Sequence, residues 1–185
     1  MKFVCEHCQS KYTIADNDTP EHGQVALEVA RQSLVLLKND GILPLDRSKY
    51  KRIAVIGPNG NSKSMLEGNY HGSASHPVSI LDGIKQAAGD GIEITFALGS
   101  PVTTKPGTAA WSRQDNETKR PVAELKEEAL KLAADADLII YVGGITPAQE
   151  GECFDRDSIE LPEVQTQLIQ ALHAVGKPMV MINCS

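Results

Sequence analysis

The sequence predicts an α/β fold: an open, mostly parallel sheet of about four strands with helices on both faces. Three observations carry that expectation. Short apolar runs recur at Ile53–Ile56, Ile92–Leu98, Leu138–Val142 and Met179–Ile182. Segments with apolar residues at helical spacing separate them. Glycine or proline punctuates the pieces, as at Gly57-Pro58, Gly143-Gly144 and Gly176. Apolar strands alternating with helices fit a parallel sheet buried on both sides.

The head of the chain reads differently from the rest. Residues 1–16 alternate like a strand around Cys5-x-x-Cys8, and a polar stretch then leads to Pro20. The residue before proline is biased away from helix, so the expected division is an arm of residues 1–20 and a domain of residues 21–185. From Glu21 the pattern becomes helical, with Val25, Ala26, Val29, Ala30, Ser33, Leu36 and Leu37 on one face and a stop at Asn39-Asp40-Gly41. The first strand, Ile53–Ile56, follows. Ile80, Ile84, Ala87 and Ala88 predict a short helix before the second strand. Gly99 to Arg120 is polar and rich in Thr, Pro and Gly, and is expected to run over the surface. Val122, Leu125, Ala129, Leu132, Ala133 and Ala136 mark an amphipathic helix before the third strand. Val164, Leu168, Leu172 and Val175 mark the last helix, closed by Gly176 before the fourth strand. Ser185 comes directly after that strand, which predicts an open apolar edge and self-association through it.

Composition narrows the function. A chain of 185 residues suits one well-buried domain with little room for a second. The net charge of −6, with scattered basic residues, argues against nucleic acid or an anionic membrane as partner. No apolar stretch approaches the roughly 20 residues that span a bilayer. The amino terminus lacks the apolar core of a secretory signal, so the chain reads as cytoplasmic. Cys5, Cys8, Cys153 and Cys184 do not have the spacing of a disulfide framework.

Two segments suggest chemistry. Gly57 to Ser64 nearly spells the phosphate-binding loop GxxxxGK[ST], but Ser62 stands where glycine must precede the lysine. The break at Glu67-Gly68 also interrupts the helix that such a loop requires, so a simple strand-to-loop turn is the better reading. The second segment, Glu150-Gly151-Glu152-Cys153-Phe154-Asp155-Arg156, follows the third strand. Ligands of open parallel sheets gather outside the carboxyl ends of the strands, which puts this loop at the functional edge. Glu150 and Glu152 could perturb one another toward general-acid use, with an Asp155–Arg156 pair positioning them. A solvated loop is the plain alternative.

A resemblance weighs between these readings. Ala26 to Asn39, Gly41 to Leu45, Ile53 to Asn59, Gly68 to Gly72, Pro77 to Gly83 and Gly151 to Arg156, with Leu161-Pro162 after it, are ordered and spaced as in the second domain of family 3 glycoside hydrolases. The chain resembles that domain from about Glu21 to Ser185, most closely in the β-xylosidase branch, with β-glucosidases next. The resemblance implies an incomplete flavodoxin-like sandwich and a part in retaining hydrolysis of β-linked sugars, with no cofactor. It implies that Glu152 is the acid/base, with Glu150 the alternative, and that Asp155 and Arg156 shape the loop. The family's aspartate nucleophile comes from a preceding barrel domain, so β-linked oligosaccharides or aryl glycosides would be substrates only alongside such a barrel. Alone, the chain is expected to be inactive.

The head resembles half of a small bacterial zinc ribbon. Cys5 and Cys8 would be two of four thiolate ligands, and a complete zinc site would have to be shared across a dimer. Fusion of two unrelated pieces is the simpler account of this arm.

Overall fold

The computed structural model describes residues 13–67, 74–105, 118–147, 149–150 and 156–184. It falls into two compact units, Met1–Asp40 and Gly41–Ser185. Cys5 and Cys8 lie outside the described residues, and among the described residues no cluster of metal-ligating side chains occurs. Nor is any described helix long and apolar enough to cross a membrane.

The first unit contains α1, Pro20–Ser33. Thr19 caps it, its hydroxyl oxygen accepting from the His22 N–H at 3.3 Å. Pro20 fits the first turn because its missing N–H would have had no partner inside the helix. The helix stops four residues short of the expected Leu37, with Leu34 already extended at φ −72° and ψ 130°. The Ser33 hydroxyl donates to the Ala30 carbonyl at 2.9 Å and so satisfies a last-turn acceptor. Beyond it, Leu34-Val35-Leu36-Leu37 lies outside the helix with all four side chains exposed.

The second unit runs β1 (Arg52–Ile56), α2 (Ile80–Ala88), β2 (Glu93–Ala97), α3 (Val122–Asp135), β3 (Leu138–Gly144), α4 (Glu163–Ala174) and β4 (Met179–Cys184). The strands form one sheet in the order β2-β1-β3-β4, and every pairing is parallel. In register, Ile56 stands beside Ala97 on one side and Tyr141 on the other.

Alternation along the strands divides the core into two layers. Ala54, Ile56, Ile139 and Tyr141 point to one face, where Ala129 and Ala133 of α3 and Leu168 and Leu172 of α4 pack on them. Ile53, Val55, Leu138, Ile140 and Val142 point to the other, beneath Leu81 of α2 with Ile42, Leu45 and Tyr50. Each large apolar side chain so buried contributes about 1.5–3 kcal/mol. Small alanines on α3 let the helix sit close to the sheet.

The segment after β2 departs from the expected surface course. Gly99, Ser100 and Val102 are buried. Gly99 has φ +70°, and a Cβ there would stand 2.6 Å from Leu168, so the chain turns inward under α4 before it leaves the core. Residues 106–117 of the same stretch lie outside the described ones.

Asp137 ties the start of β3 to the start of β1. Its Oδ2 accepts from the Lys51 and Arg52 N–H groups, both at 2.9 Å, and its own N–H donates to the Arg52 carbonyl at 2.8 Å. The Lys51 and Arg52 backbone bonds hold its carboxyl below the ordinary range. A folded-state pKa below the unfolded value adds stability above the unfolded pKa and loses it as pH falls through the folded one. Asp137→Asn should therefore lower the urea midpoint at pH 7, with the gap to the parent closing below pH ~4. A gap that widens in acid would refute this.

Glycines allow the strands to approach at the opposite edge. A Cβ on Gly144, at φ +120°, would lie 1.9 Å from the Cys184 carbonyl oxygen. Gly144→Ala should cost about 3 kcal/mol or more in chemical denaturation, and an unchanged midpoint would show that the strand ends can yield.

Candidate active site

The strand order places a reversal between β1 and β3. From β1 the chain steps outward to β2, then returns to the other side of β1 as β3 and continues outward to β4. The loops leaving the carboxyl ends of β1 and β3 start at this reversal, the position at which open α/β sheets take their ligands.

The loop after β1 packs against the end of β3. Gly57 has φ +136°, and a Cβ there would lie 2.0 Å from the Val142 carbonyl oxygen. Pro58, Asn59 and Gly60 are buried. The Asn59 N–H donates to the Val142 carbonyl at 3.3 Å, and its side-chain amide donates to the Ile145 carbonyl at 3.4 Å. One residue thus joins the β1 exit to the β3 exit. The resemblance of Gly57–Ser64 to a phosphate loop ends there. A three-residue turn, Ser64–Leu66, follows it, and Lys63 faces Asp82 at 3.9 Å.

The loop after β3 carries the acidic segment. The Ile145 N–H donates to the Cys184 carbonyl at 2.9 Å, which pins the first loop residue to the end of β4. The Gln149 side-chain oxygen accepts from the Thr146 N–H at 2.9 Å and the Thr146 hydroxyl at 2.6 Å, while the Gln149 N–H returns a bond to the Thr146 carbonyl. Glu150 comes next. Its Oε2 accepts from Arg156 Nε at 2.5 Å, with the glutamate about half exposed and the arginine largely covered. The fold brings Glu150 and Arg156 together. Glu152 and Asp155, the other two residues of the expected site, lie outside the described residues.

The sequence reading missed the polar group beneath this loop. Gln165, three residues into α4, is fully buried. Its Oε1 accepts from the Gly144 N–H at 2.9 Å and the Tyr141 hydroxyl at 3.0 Å. Its Nε2 donates to the carbonyls of Gly144 and Val102, both at 2.7 Å. A signal was present, since 165, 168 and 172 fall on one helical stripe and a polar residue on it must find partners. Tyr141 is buried in the same place, and desolvation pushes its hydroxyl far above the ordinary tyrosine range.

An open parallel sheet with this reversal of strand order defines a doubly wound α/β domain. Residues 34–185 match the family described as the glycosyl hydrolase family 3 C-terminal domain. The chain belongs to that family. A β-xylosidase of Formosa agariphila is 35% identical over 174 residues, covering 90% of this chain and 22% of the relative. A probable exo-1,4-β-xylosidase of Aspergillus flavus is 38% identical over 160 residues, covering 86% and 18%. Among solved structures, a family 3 exo-β-xylosidase with a xylobiose aziridine probe aligns with a TM-score of 0.72 at 36% identity, covering 88% of this chain and 19% of that one. The family 3 β-glucosidase of Bifidobacterium adolescentis aligns with a TM-score of 0.71 at 29% identity, covering 95% and 23%. The chain spans about a fifth of the length of these relatives.

Cys184, at the end of β4, is half-buried beside Asn59. Burial raises its thiol to about 11, partly offset by a hydrogen bond from the Asn59 side chain. At pH 8 its thiolate fraction is then about a hundredfold below that of an ordinary cysteine. Mass-spectrometric alkylation kinetics should show Cys184 reacting with iodoacetamide at least ~30-fold more slowly than a free cysteine; an ordinary rate would mean that the thiol is not held buried.

Proposed function

We propose that this chain is the acid/base-bearing module of a retaining β-glycosidase acting on β-xylosides or β-glucosides, with Glu152 as the acid/base and Glu150 as its alternative. The observation that carries this reading is the loop after β3: family membership coincides there with an acidic segment at the reversal of the sheet. The Glu150–Arg156 pair supports a shaping role for the ends of that segment. A guanidinium beside a carboxyl group favours its charged form, which in this reading makes Glu152 a better choice of acid than Glu150.

Retaining hydrolysis requires a second carboxyl about 5–5.5 Å away to form the glycosyl-enzyme intermediate. In this proposal that nucleophile comes from another module, as the short span of the relatives covered by this chain suggests. A β-linked oligosaccharide or aryl glycoside would bind between the two. No metal or redox group enters the proton transfers.

The test is hydrolysis of aryl β-xyloside and β-glucoside by the protein assembled with a module that supplies the nucleophile, with the 185-residue chain alone in parallel. Glu152→Gln should reduce kcat by about 10²–10⁴-fold on substrates with poor leaving groups. Azide, a nucleophile that needs no general base, should restore turnover of activated substrates. Glu150→Gln should have the smaller effect. If neither substitution changes the rate, the loop is not the acid/base.

A further inference from the structure

We infer that Gln165 is the positioning residue of the loop that carries Glu150 and Glu152. Its link to catalysis rests on the acid/base reading above; its link to the loop rests on geometry alone. A primary amide can accept two hydrogen bonds at oxygen and donate two from nitrogen. Gln165 does all four, to Gly144 N–H, Tyr141 O–H, Gly144 C=O and Val102 C=O, at 2.7–3.0 Å. Rotating the amide by half a turn would set its NH2 against the Gly144 N–H and its oxygen against two carbonyls. Only one orientation is satisfied.

The placement of these partners gives the residue its role. Gly144 is the last residue of β3, where the loop departs. Gln165 lies in the first turn of α4, where the chain returns. One side chain therefore fastens both ends of the loop and also binds the segment after β2 through Val102. Space for it is reserved by Gly143, since a Cβ there would lie 2.5 Å from Gln165 Oε1 and 2.5 Å from the Tyr141 hydroxyl oxygen. From Gly144 the constraint passes along Ile145, held by Cys184 and Asn59, to the Thr146–Gln149 turn and so to Glu150 and Arg156.

Energy makes this more than filling of the core. An apolar side chain of similar shape would fill the volume, but it would leave the Gly144 N–H and two carbonyls buried without their partner. Each such loss costs about 1–3 kcal/mol, and the loop can recover it by moving its exit toward water. A carboxyl that must work within about 0.5 Å of its productive place does not tolerate that movement.

The test uses the 185-residue chain and Gln165→Met, which keeps length and apolar volume but makes none of the four bonds. Amide exchange of Gly144, Ile145, Thr146 and Gln149 should accelerate about tenfold or more, while Val55 in β1 is unchanged. The Arg156 Nε–H resonance, protected by Glu150, should broaden or shift toward its exposed position. An unchanged loop and Arg156 signal would overturn the inference. So would equal acceleration of every amide including Val55, which marks a residue serving global stability alone. If Gln165→Met does not fold, Tyr141→Phe removes one of the four bonds and leaves the shape; it should accelerate the same amides about threefold, and no change would again overturn the inference. These readouts need no substrate. If hydrolysis proves indifferent to Glu150→Gln and Glu152→Gln, the glycosidase reading fails while the positioning of the loop by Gln165 stands.

Discussion

A parallel strand with helices over both of its faces has no side from which a polar side chain can reach water, and β3 lives under that constraint along its whole length. All seven of its residues are buried. It pairs with β1 on one side and β4 on the other, so its backbone groups are consumed by the ladders. The two-layered core, the small residues of α3 and the reversal of strand order all depend on this one strand being apolar, central and closely flanked. The one polar side chain within it, Tyr141, is tolerated because Gln165 accepts its hydroxyl proton.

The two ends of the sheet answer different needs. At the amino ends a carboxylate, Asp137, takes two backbone donors in an arrangement open to solvent. At the carboxyl ends glycines bring backbone against backbone, and buried amides of Asn59 and Gln165 take over the bonding as the strands run out. Neutral amides suit that end, because each can both donate and accept where N–H and C=O groups emerge together. A carboxylate in either place would be desolvated and would face carbonyl oxygens.

Much of this was legible in the sequence, for a physical reason. Buried parallel strands must be apolar runs and the covering helices must carry one-sided stripes, so Ile53–Ile56, Leu138–Val142 and the Val122–Ala136 stripe identified themselves. Glycine carries no hydrophobic signal, which is why the sequence reading ends the third strand at Val142 although β3 runs on through Gly143 and Gly144. The early end of α1 depended on the Ser33 hydroxyl and on a run too uniformly apolar to show a period. The order of the strands was not legible in the residue pattern, because it is decided by contacts between residues far apart in the chain. It came with the flavodoxin-like expectation that the resemblance carries, which the order β2-β1-β3-β4 meets. The same holds for the site. Glu150 and Arg156 could be named from their loop and from the family resemblance, but their pairing depends on the course of that loop, and the four bonds of Gln165 are made to residues 21 or more positions away.

The fastening of Gly144 to Gln165 also bears on how such a domain can change. These residues are fixed posts, 21 positions apart in sequence. Between posts that do not move, the entropy of closing a loop rises only with the logarithm of its length, about 0.6 kcal/mol for each doubling. Insertions, deletions and exchanges of whole segments between the posts are therefore cheap for the fold, while the posts themselves are not negotiable. Length and sequence can vary in that interval without the sheet having to evolve with it.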